Sequence, residues 1–385
     1  MRIAQIAPLT EAIPPKLYGG TERVISWLTE ELVAQGHDVT LFASGDSRTS
    51  AKLEAVWPRA LRLDGGIRDV NALHLTMLEQ VRRRARDFDV LHFHLDYYPF
   101  SLFTRQATPF VTTLHGRLDL PEHQTLFTTF ASVPLISISD AQRTPVPSAG
   151  WVRTIHHGLP ERELMPRPAN PSYFAFLGRI SPEKATDAAI RIARQCGVPL
   201  KIAAKVDKVD RDYFETEIRP LLRAPAVEYI GEISDDEKAE FLSGAACLLA
   251  PANWPEPFGL VLIEAMACGC PAIAFHAGAM PEVIEDGVTG FIVDDEPGAI
   301  GAAAQLSKLS RPAIRRRFEQ RFTARRMAQD YLTVYRELIE AASRSAKAPV
   351  ARRGDPERVR SVFRGGSRTS EPRPALSPRS QSLPD

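Results

Sequence analysis

Four cysteines in 385 residues are too few for a disulfide scaffold, which leaves free thiols in a cytoplasmic protein as the expectation. No apolar run approaches the roughly 18 residues that a membrane helix needs. The opening Met1-Arg2-Ile3-Ala4-Gln5-Ile6 meets Pro8 before a signal-peptide core can form, and it reads as a first β-strand. There is no Gly-x-Gly-x-x-Gly fingerprint, no P-loop Lys-Ser/Thr pair and no Gly-x-Ser-x-Gly elbow, so dinucleotide, P-loop and serine-nucleophile chemistries lose their usual signatures. His92 and His94 alternate on one strand, but no His-Glu-x-x-His or Cys/His cluster completes a zinc site. The single residue between Cys268 and Cys270 fits neither redox nor zinc spacing.

Net charge is also nearly absent, with Lys+Arg 48 against Asp+Glu 47, yet the balance is uneven along the chain. Residues 344–385 hold ten Lys/Arg and four Asp/Glu, which leaves 38 against 43, a net −5, on residues 1–343. The same tail has six prolines, seven serines and Phe363 as its sole aromatic, too little apolar surface to offset the entropy of ordering. It reads as a disordered basic extension that favours solubility. No nucleic-acid partner is expected, and a peripheral membrane contact is the secondary reading of the basic charge.

What is present, at 44% hydrophobic residues, is the alternation of short apolar runs and amphipathic stretches that marks βα units around parallel sheets. Strands are expected at residues 3–7, 39–43, 90–93, 110–113, 135–138 and 152–155, with a first helix capped by Thr21 and ended by Gly36. Three prolines in residues 166–171 mark a boundary. The rhythm then restarts, with strands at 173–177, 200–204, 227–230, 247–250, 272–275 and 291–293 and helices at 184–195, 235–243, 261–268 and 281–286. A last amphipathic helix spans about 324–342. The expected architecture is α/β: two Rossmann-like, doubly wound parallel-sheet domains, 1–165 and 170–323, with a ligand cleft between them. A helix at 324–343 and the tail at 344–385 follow.

Three stretches could carry chemistry. In Trp254-Pro255-Glu256-Pro257-Phe258-Gly259-Leu260, the prolines hold Glu256 on a stiff loop before a helix whose free N–H groups at Gly259 and Leu260 could face an anion. Glu264 lies one turn inside that apolar helix, where a carboxylate is costly without a partner. It is either a single exposed edge of a core helix or an acceptor for ligand hydroxyls. In Gly178-Arg179-Ile180-Ser181-Pro182-Glu183-Lys184, Ser181 suits an N-cap and Pro182 the first helical position. Two cations, Arg179 and Lys184, would then sit at a helix N-terminus, an arrangement that suits an anion or else two solvated surface charges. Gly19-Gly20 allows backbone to approach a phosphate closely, and His115 ends a strand where α/β sites lie.

Together these motifs resemble glycosyltransferase family 4, whose members are retaining, metal-independent enzymes of the GT-B fold. The resemblance rests on Glu256-x7-Glu264 with Pro257-Phe258-Gly259-Leu260 inside it, followed by Ala267-Cys268-Gly269-Cys270-Pro271. Gly278-x-x-Pro281-Glu282, Asp286-Gly287-x-Thr289-Gly290, Gly178-Arg179 with Lys184, and Gly19-Gly20-x-Glu22 add to it. Three positions depart from the common pattern: Ala185 where Gly is usual, His157-Gly158 for Asn-Gly, and Gly278-Ala279 for Gly-Gly. The resemblance implies a cytoplasmic enzyme of carbohydrate biosynthesis that moves a sugar from a nucleotide-diphosphate-sugar donor to a sugar, polyol or lipid-linked acceptor. It implies no cofactor and no metal. Arg179 and Lys184 would meet the diphosphate, assisted by N–H groups at Gly19, Gly20, Gly259 and Leu260 beside Phe258. Glu264 would hold the ribose, and Glu256 and His115 the transferred sugar. Retention is thought to proceed by front-face attack, which needs no protein nucleophile. The final helix would cross back onto the N-terminal domain. An epimerase or phosphorylase of the same fold, and a non-catalytic sugar-nucleotide binder, are the alternatives.

Overall fold

The computed structural model describes residues 1–16 and 19–347, which belong to one compact unit. Two wholly parallel sheets organise it. The first contains β1 (Arg2–Ile6), β2 (Asp38–Ser44), β3 (Lys52–Trp57), β4 (Val90–Phe93), β5 (Phe110–Thr113), β6 (Leu135–Ser137) and β7 (Trp151–Thr154), in the order β3-β2-β1-β4-β5-β6-β7. The second contains β8 (Tyr173–Arg179), β9 (Leu200–Lys205), β10 (Val227–Gly231), β11 (Ala245–Ala250), β12 (Ala272–Phe275) and β13 (Gly290–Val293), in the order β10-β9-β8-β11-β12-β13. In each sheet the strand order reverses beside the first strand, and in open α/β sheets ligands bind in the crevice at that switch point.

The central strands are apolar because helices cover both faces; β4 and β5 are buried along their whole length. Among the described residues, the helices of two turns or more are α1 (Gly20–Ala34), α2 (Val70–Arg84), α3 (Pro121–Thr129), α4 (Thr186–Cys196), α5 (Asp235–Ser243), α6 (Leu260–Ala267), α7 (Glu296–Ala303), α8 (Arg311–Arg321) and α9 (Ala324–Lys347). α9 buries Met327, Tyr331, Val334 and Tyr335 and packs on α1 and β4, so it returns to the first sheet. It runs to Lys347, four residues past the expected 343; the remainder of the expected tail lies outside the described residues. The four cysteines are free thiols, and no described helix is long and apolar enough to cross a membrane.

Several local expectations need correction. Helix α1 begins at Gly20, with Gly19 rather than Thr21 in the cap position and no side-chain cap. The helix expected from Lys184 begins instead at Thr186. Residues Pro182–Lys184 form a 3-10 turn in which Ser181 makes no capping bond, and Ala185 is left-handed at φ 50°. That left-handed residue separates the turn from α4, so Lys184 is not at a third helical position. The helix expected at 281–286 is a single turn, Met280–Val283.

Candidate active site

Two adjoining cavities lie between the sheets. The larger, about 420 Å³, is lined by Lys16, Gly19, Gly20 and Arg23 from the first half and by Gly178, Lys205, Glu232, Lys238 and Glu264 from the second. The smaller, about 240 Å³, is lined by Gly20, His115, His157, Lys184, Trp254, Glu256, Phe258 and Gly259. They share Gly20, Leu260 and Val261, so the first residues of α1 and α6 meet where the cavities join. Unpaired N–H groups at helix starts favour negative charge.

The stiff loop before α6 sets Glu256. Its carbonyl accepts from the Ala279 N–H at 2.9 Å, and the loop packs so closely that a Cβ on Gly278 would lie 2.3 Å from that oxygen. With φ at +54° as well, position 278 requires glycine. Trp254 Nε1 donates to Glu256 Oε2 at 3.0 Å, and Lys184 Nζ pairs with the same oxygen while lying 5.6 Å over the Trp254 ring. Gly259, left-handed at φ 87°, turns the chain into α6.

Glu264, 4% exposed, has the partner its burial demands: Lys238 Nζ lies 2.7 Å from Oε1. Lys238 also pairs with Asp235 at 3.1 Å, and Asp235 pairs with Arg23 of α1 across the cleft. Burial alone would lower the Lys238 pKa, but Glu264 and Asp235 raise it above the usual lysine range. A capping box, Ser234 with Glu237, starts α5 and thereby aims Lys238 at the cavity. Sequence reading located α5 but not this role; the Ser234-x-x-Glu237 signature ahead of Lys238 was the available signal.

Both expected cations, Arg179 and Lys184, have carboxylate partners. Lys184 lines the smaller cavity but is paired with Glu256. Arg179 lines neither cavity; it faces Glu183 at 3.1 Å, Asp210 at 3.5 Å and Asp207 at 3.7 Å. The larger cavity is lined by four further cations, Lys16, Arg23, Lys205 and Lys238, none of which belonged to a recognisable motif.

His115 closes the other wall. It stacks on His157 with ring centres 5.4 Å apart, and His157 meets Phe258 edge-on at 4.9 Å. His94 Nδ1 lies 2.9 Å from His115 Nε2. Burial pushes His115 down to about 3, and holds His92, His94 and His157 well below the usual histidine range. All four are neutral near pH 7. Each ring nitrogen of His92 and His94 contacts a protein group, so the pair is a structural element rather than a ligand set. Among the described residues, no group of three or more His, Cys, Asp or Glu is arranged to hold a metal ion.

The motif order and this geometry have counterparts in known proteins. The signature described as Glycosyltransferase Family 4 matches residues 18–172, and that described as Glycosyl transferases group 1 matches residues 161–322. The chain belongs to glycosyltransferase family 4. Glycogen synthase of Mycobacterium tuberculosis is 26% identical over 400 residues, covering 88% of this chain and 95% of that enzyme. D-inositol 3-phosphate glycosyltransferase of Saccharomonospora viridis is 30% identical over 197 residues, and the match spans 45% of this chain and only 44% of that enzyme's length. Sucrose-phosphate synthase of Thermosynechococcus elongatus superposes with a TM-score of 0.75 at 19% identity, covering 88% of this chain and 99% of that one. The two parallel sheets are those of the GT-B fold, and the chain is a glycosyltransferase. Of the expected site residues, the fold brings Gly19, Gly20, His115, Lys184, Glu256, Phe258, Gly259, Leu260 and Glu264 to the two cavities, and Arg179 to neither.

Proposed function

We propose that this glycosyltransferase moves a sugar from a nucleoside-diphosphate donor to an acceptor hydroxyl with retention of anomeric configuration. The observation that carries the reading is the pair of cavities meeting at Gly20 and the start of α6. A nucleoside occupies the larger cavity, a hexose the smaller, and the diphosphate the junction. Glu264, held by Lys238, accepts hydrogen bonds from the ribose hydroxyls. Backbone N–H groups at Gly20 and Leu260 and the Lys184 ammonium meet the diphosphate as charge develops on the leaving group. Lys184 is within reach of Glu256, so phosphate and carboxylate share one cation.

Glu256 accepts hydrogen bonds from hydroxyls of the transferred sugar, and His115 and His157 form the opposite wall. The acceptor hydroxyl attacks the anomeric carbon from the face that the diphosphate leaves, through an oxocarbenium-like state, and gives up its proton to the departing phosphate oxygen. No protein nucleophile enters. The Lys184 ammonium and the N–H groups at the starts of α1 and α6 converge where the cavities join, which supports neutralising the diphosphate without a metal. The acceptor is a sugar, a polyol or a lipid-linked headgroup.

Thermal-shift measurement with UDP-, GDP- and ADP-sugars tests the donor class. A true donor at 100 times its Kd adds about 2.7 kcal/mol of stability, and no shift with any of them overturns the reading. NMR of the product's anomeric proton tests retention; an inverted product refutes it. Activity lost in EDTA and restored by Mn²⁺ refutes metal independence.

A further inference from the structure

Behind His115 runs a buried chain of hydrogen bonds that ends on α9. Gln5 of β1 stands at its centre and is fully buried. Gln5 Nε2 donates to Tyr335 Oη at 3.1 Å, and Gln5 Oε1 lies 2.8 Å from His94 Nε2. His94 Nδ1 continues to His115 Nε2 at 2.9 Å. On the other side, Tyr335 Oη lies 2.7 Å from His92 Nδ1, His92 Nε2 lies 2.7 Å from Thr113 Oγ1, and Thr113 Oγ1 lies 3.0 Å from Tyr331 Oη. His92, Thr113, Tyr331 and Tyr335 are as buried as Gln5, and His94 is 3% exposed.

A neutral imidazole has one N–H and one lone pair, so each link dictates the next. Because Gln5 Oε1 can only accept, His94 carries its proton on Nε2. His94 Nδ1 is then a lone pair and takes the Nε2–H of His115. That leaves His115 Nδ1 as a lone pair, and this atom is shielded from solvent with no partner in the protein. The same amide directs the other branch: Tyr335, having accepted from Gln5, donates to His92 Nδ1, and His92 Nε2–H donates to Thr113. Turning the amide over reverses every link and puts a proton on His115 Nδ1.

We propose that Gln5 is a positioning residue that, anchored by Tyr335 of α9, sets His115 as the Nε2–H tautomer, so that His115 Nδ1 accepts a hydrogen bond from a hydroxyl of the transferred sugar. The hydroxyl contact rests on the reading above that the smaller cavity holds the sugar; the tautomer does not. The burial that keeps the four imidazoles neutral is what lets one amide orientation govern them all, since a protonated ring would donate from both nitrogens. The arrangement also gives α9 a hold on the chemistry, because its Tyr335 carries the anchor.

Nitrogen-15 NMR of the full chain labelled at histidine reads the tautomers without any substrate, with His115 assigned from the His115→Gln spectrum. The expected result near pH 7 is the Nε2–H form for His92, His94 and His115. A protonated Nδ1 on His115 overturns the proposal. In Gln5→Leu and Tyr335→Phe, His115 is expected to populate both tautomers, and an unchanged single form in Gln5→Leu overturns the role given to Gln5. Should Gln5→Leu fail to fold, the wild-type spectrum still decides. Titration with a nucleoside diphosphate and with its sugar conjugate tests the contact. Both variants should bind the diphosphate as the wild type does and lose about tenfold in affinity for the conjugate. An expected tautomer with unchanged affinity for the conjugate overturns the hydroxyl contact alone.

Discussion

The two walls of the cleft are built on opposite physics. The second sheet presents charge: Lys184 with Glu256, and Lys238 with Glu264, Asp235 and, across the cleft, Arg23. The first sheet presents neutral imidazoles and an amide, buried and joined by hydrogen bonds. A diphosphate needs cations, and cations in a partly open cavity are tolerable when carboxylates are at hand to pair with them. A hexose needs donors and acceptors of fixed direction, and neutral groups hold their direction only when every link behind them is satisfied. The comparison teaches where each kind of mutation acts. Changes on the charged wall alter binding and the barrier through single pairs, and changes on the neutral wall propagate along the chain.

The largest effect is expected from breaking the charged wall at its centre. Lys184→Ala and Glu256→Ala should each lower kcat by about 10³-fold, or roughly 4 kcal/mol of transition-state stabilisation, with thermal unfolding near that of the wild type. Full activity in either variant would refute the roles given to both. Next comes Lys238→Met. It strands the Glu264 carboxylate, which is 4% exposed. Removing one partner of a buried pair costs about 3 kcal/mol, so urea unfolding should shift by that much and donor affinity should fall with it. A stability change under about 1 kcal/mol would mean that Glu264 is solvated through the cavity and that the pair is dispensable.

The neutral wall is tested by acid. His115 has its folded pKa depressed to about 3 from 6.5, and His92, His94 and His157 are depressed by the same cause, burial. A depressed folded value means that the unfolded chain binds the proton more tightly. The stability these rings contribute is therefore present above pH 6.5 and is lost as pH falls below it, down to about 3 for His115. Each ring adds up to about 1.4 kcal/mol of destabilisation per pH unit. Denaturant midpoints measured from pH 7.5 to 5 should decline from near 6.5, and His94→Gln, which removes one titrating ring, should decline less steeply. A flat profile would show that the imidazoles are solvated and that the contrast between the walls is false.

Much of this site was legible because its motifs are local. Glu256, Pro257, Gly259 and Glu264 lie within nine residues, and the conformations that aim them follow from proline, glycine and helical spacing. The sheets were legible for the same reason, since a buried parallel strand is a short apolar run. β3 is hard to read because Lys52-Leu53-Glu54-Ala55-Val56-Trp57 is a half-exposed edge strand, whereas α2 carried a signal that was not used, since its buried His74, Met77, Leu78 and Val81 follow helical spacing. What could not be read were the partners. Lys238 reaches Glu264 across 26 residues, Gln5 reaches His94 across 89, and His92 reaches Tyr335 across 243. Periodicity carries no record of such pairings. Arg179 likewise ends β8 as its motif suggests, but its partners Asp207 and Asp210, which follow the C-terminal end of β9, leave no trace in the local pattern around it.

The smallest effect lies at the junction between the charged wall and its scaffold. Ala185 follows Lys184 and takes φ 50° and ψ 53°, a left-handed conformation that costs an alanine about 1–2 kcal/mol. Glycine removes that strain but loses more entropy on folding, by about 0.5–1 kcal/mol. Ala185→Gly should therefore stabilise the chain by no more than about 1.5 kcal/mol, a rise of a few degrees in Tm. Its effect on activity separates two uses of the strain. If the left-handed turn serves only to end the 3-10 segment and start α4, kcat and the donor KM stay as they are. If the methyl group, 5% exposed, braces the turn that carries Lys184, the variant gains stability and loses kcat together. The first outcome is expected, because Lys184 is already held from outside its own turn, by Glu256 and by the face of Trp254.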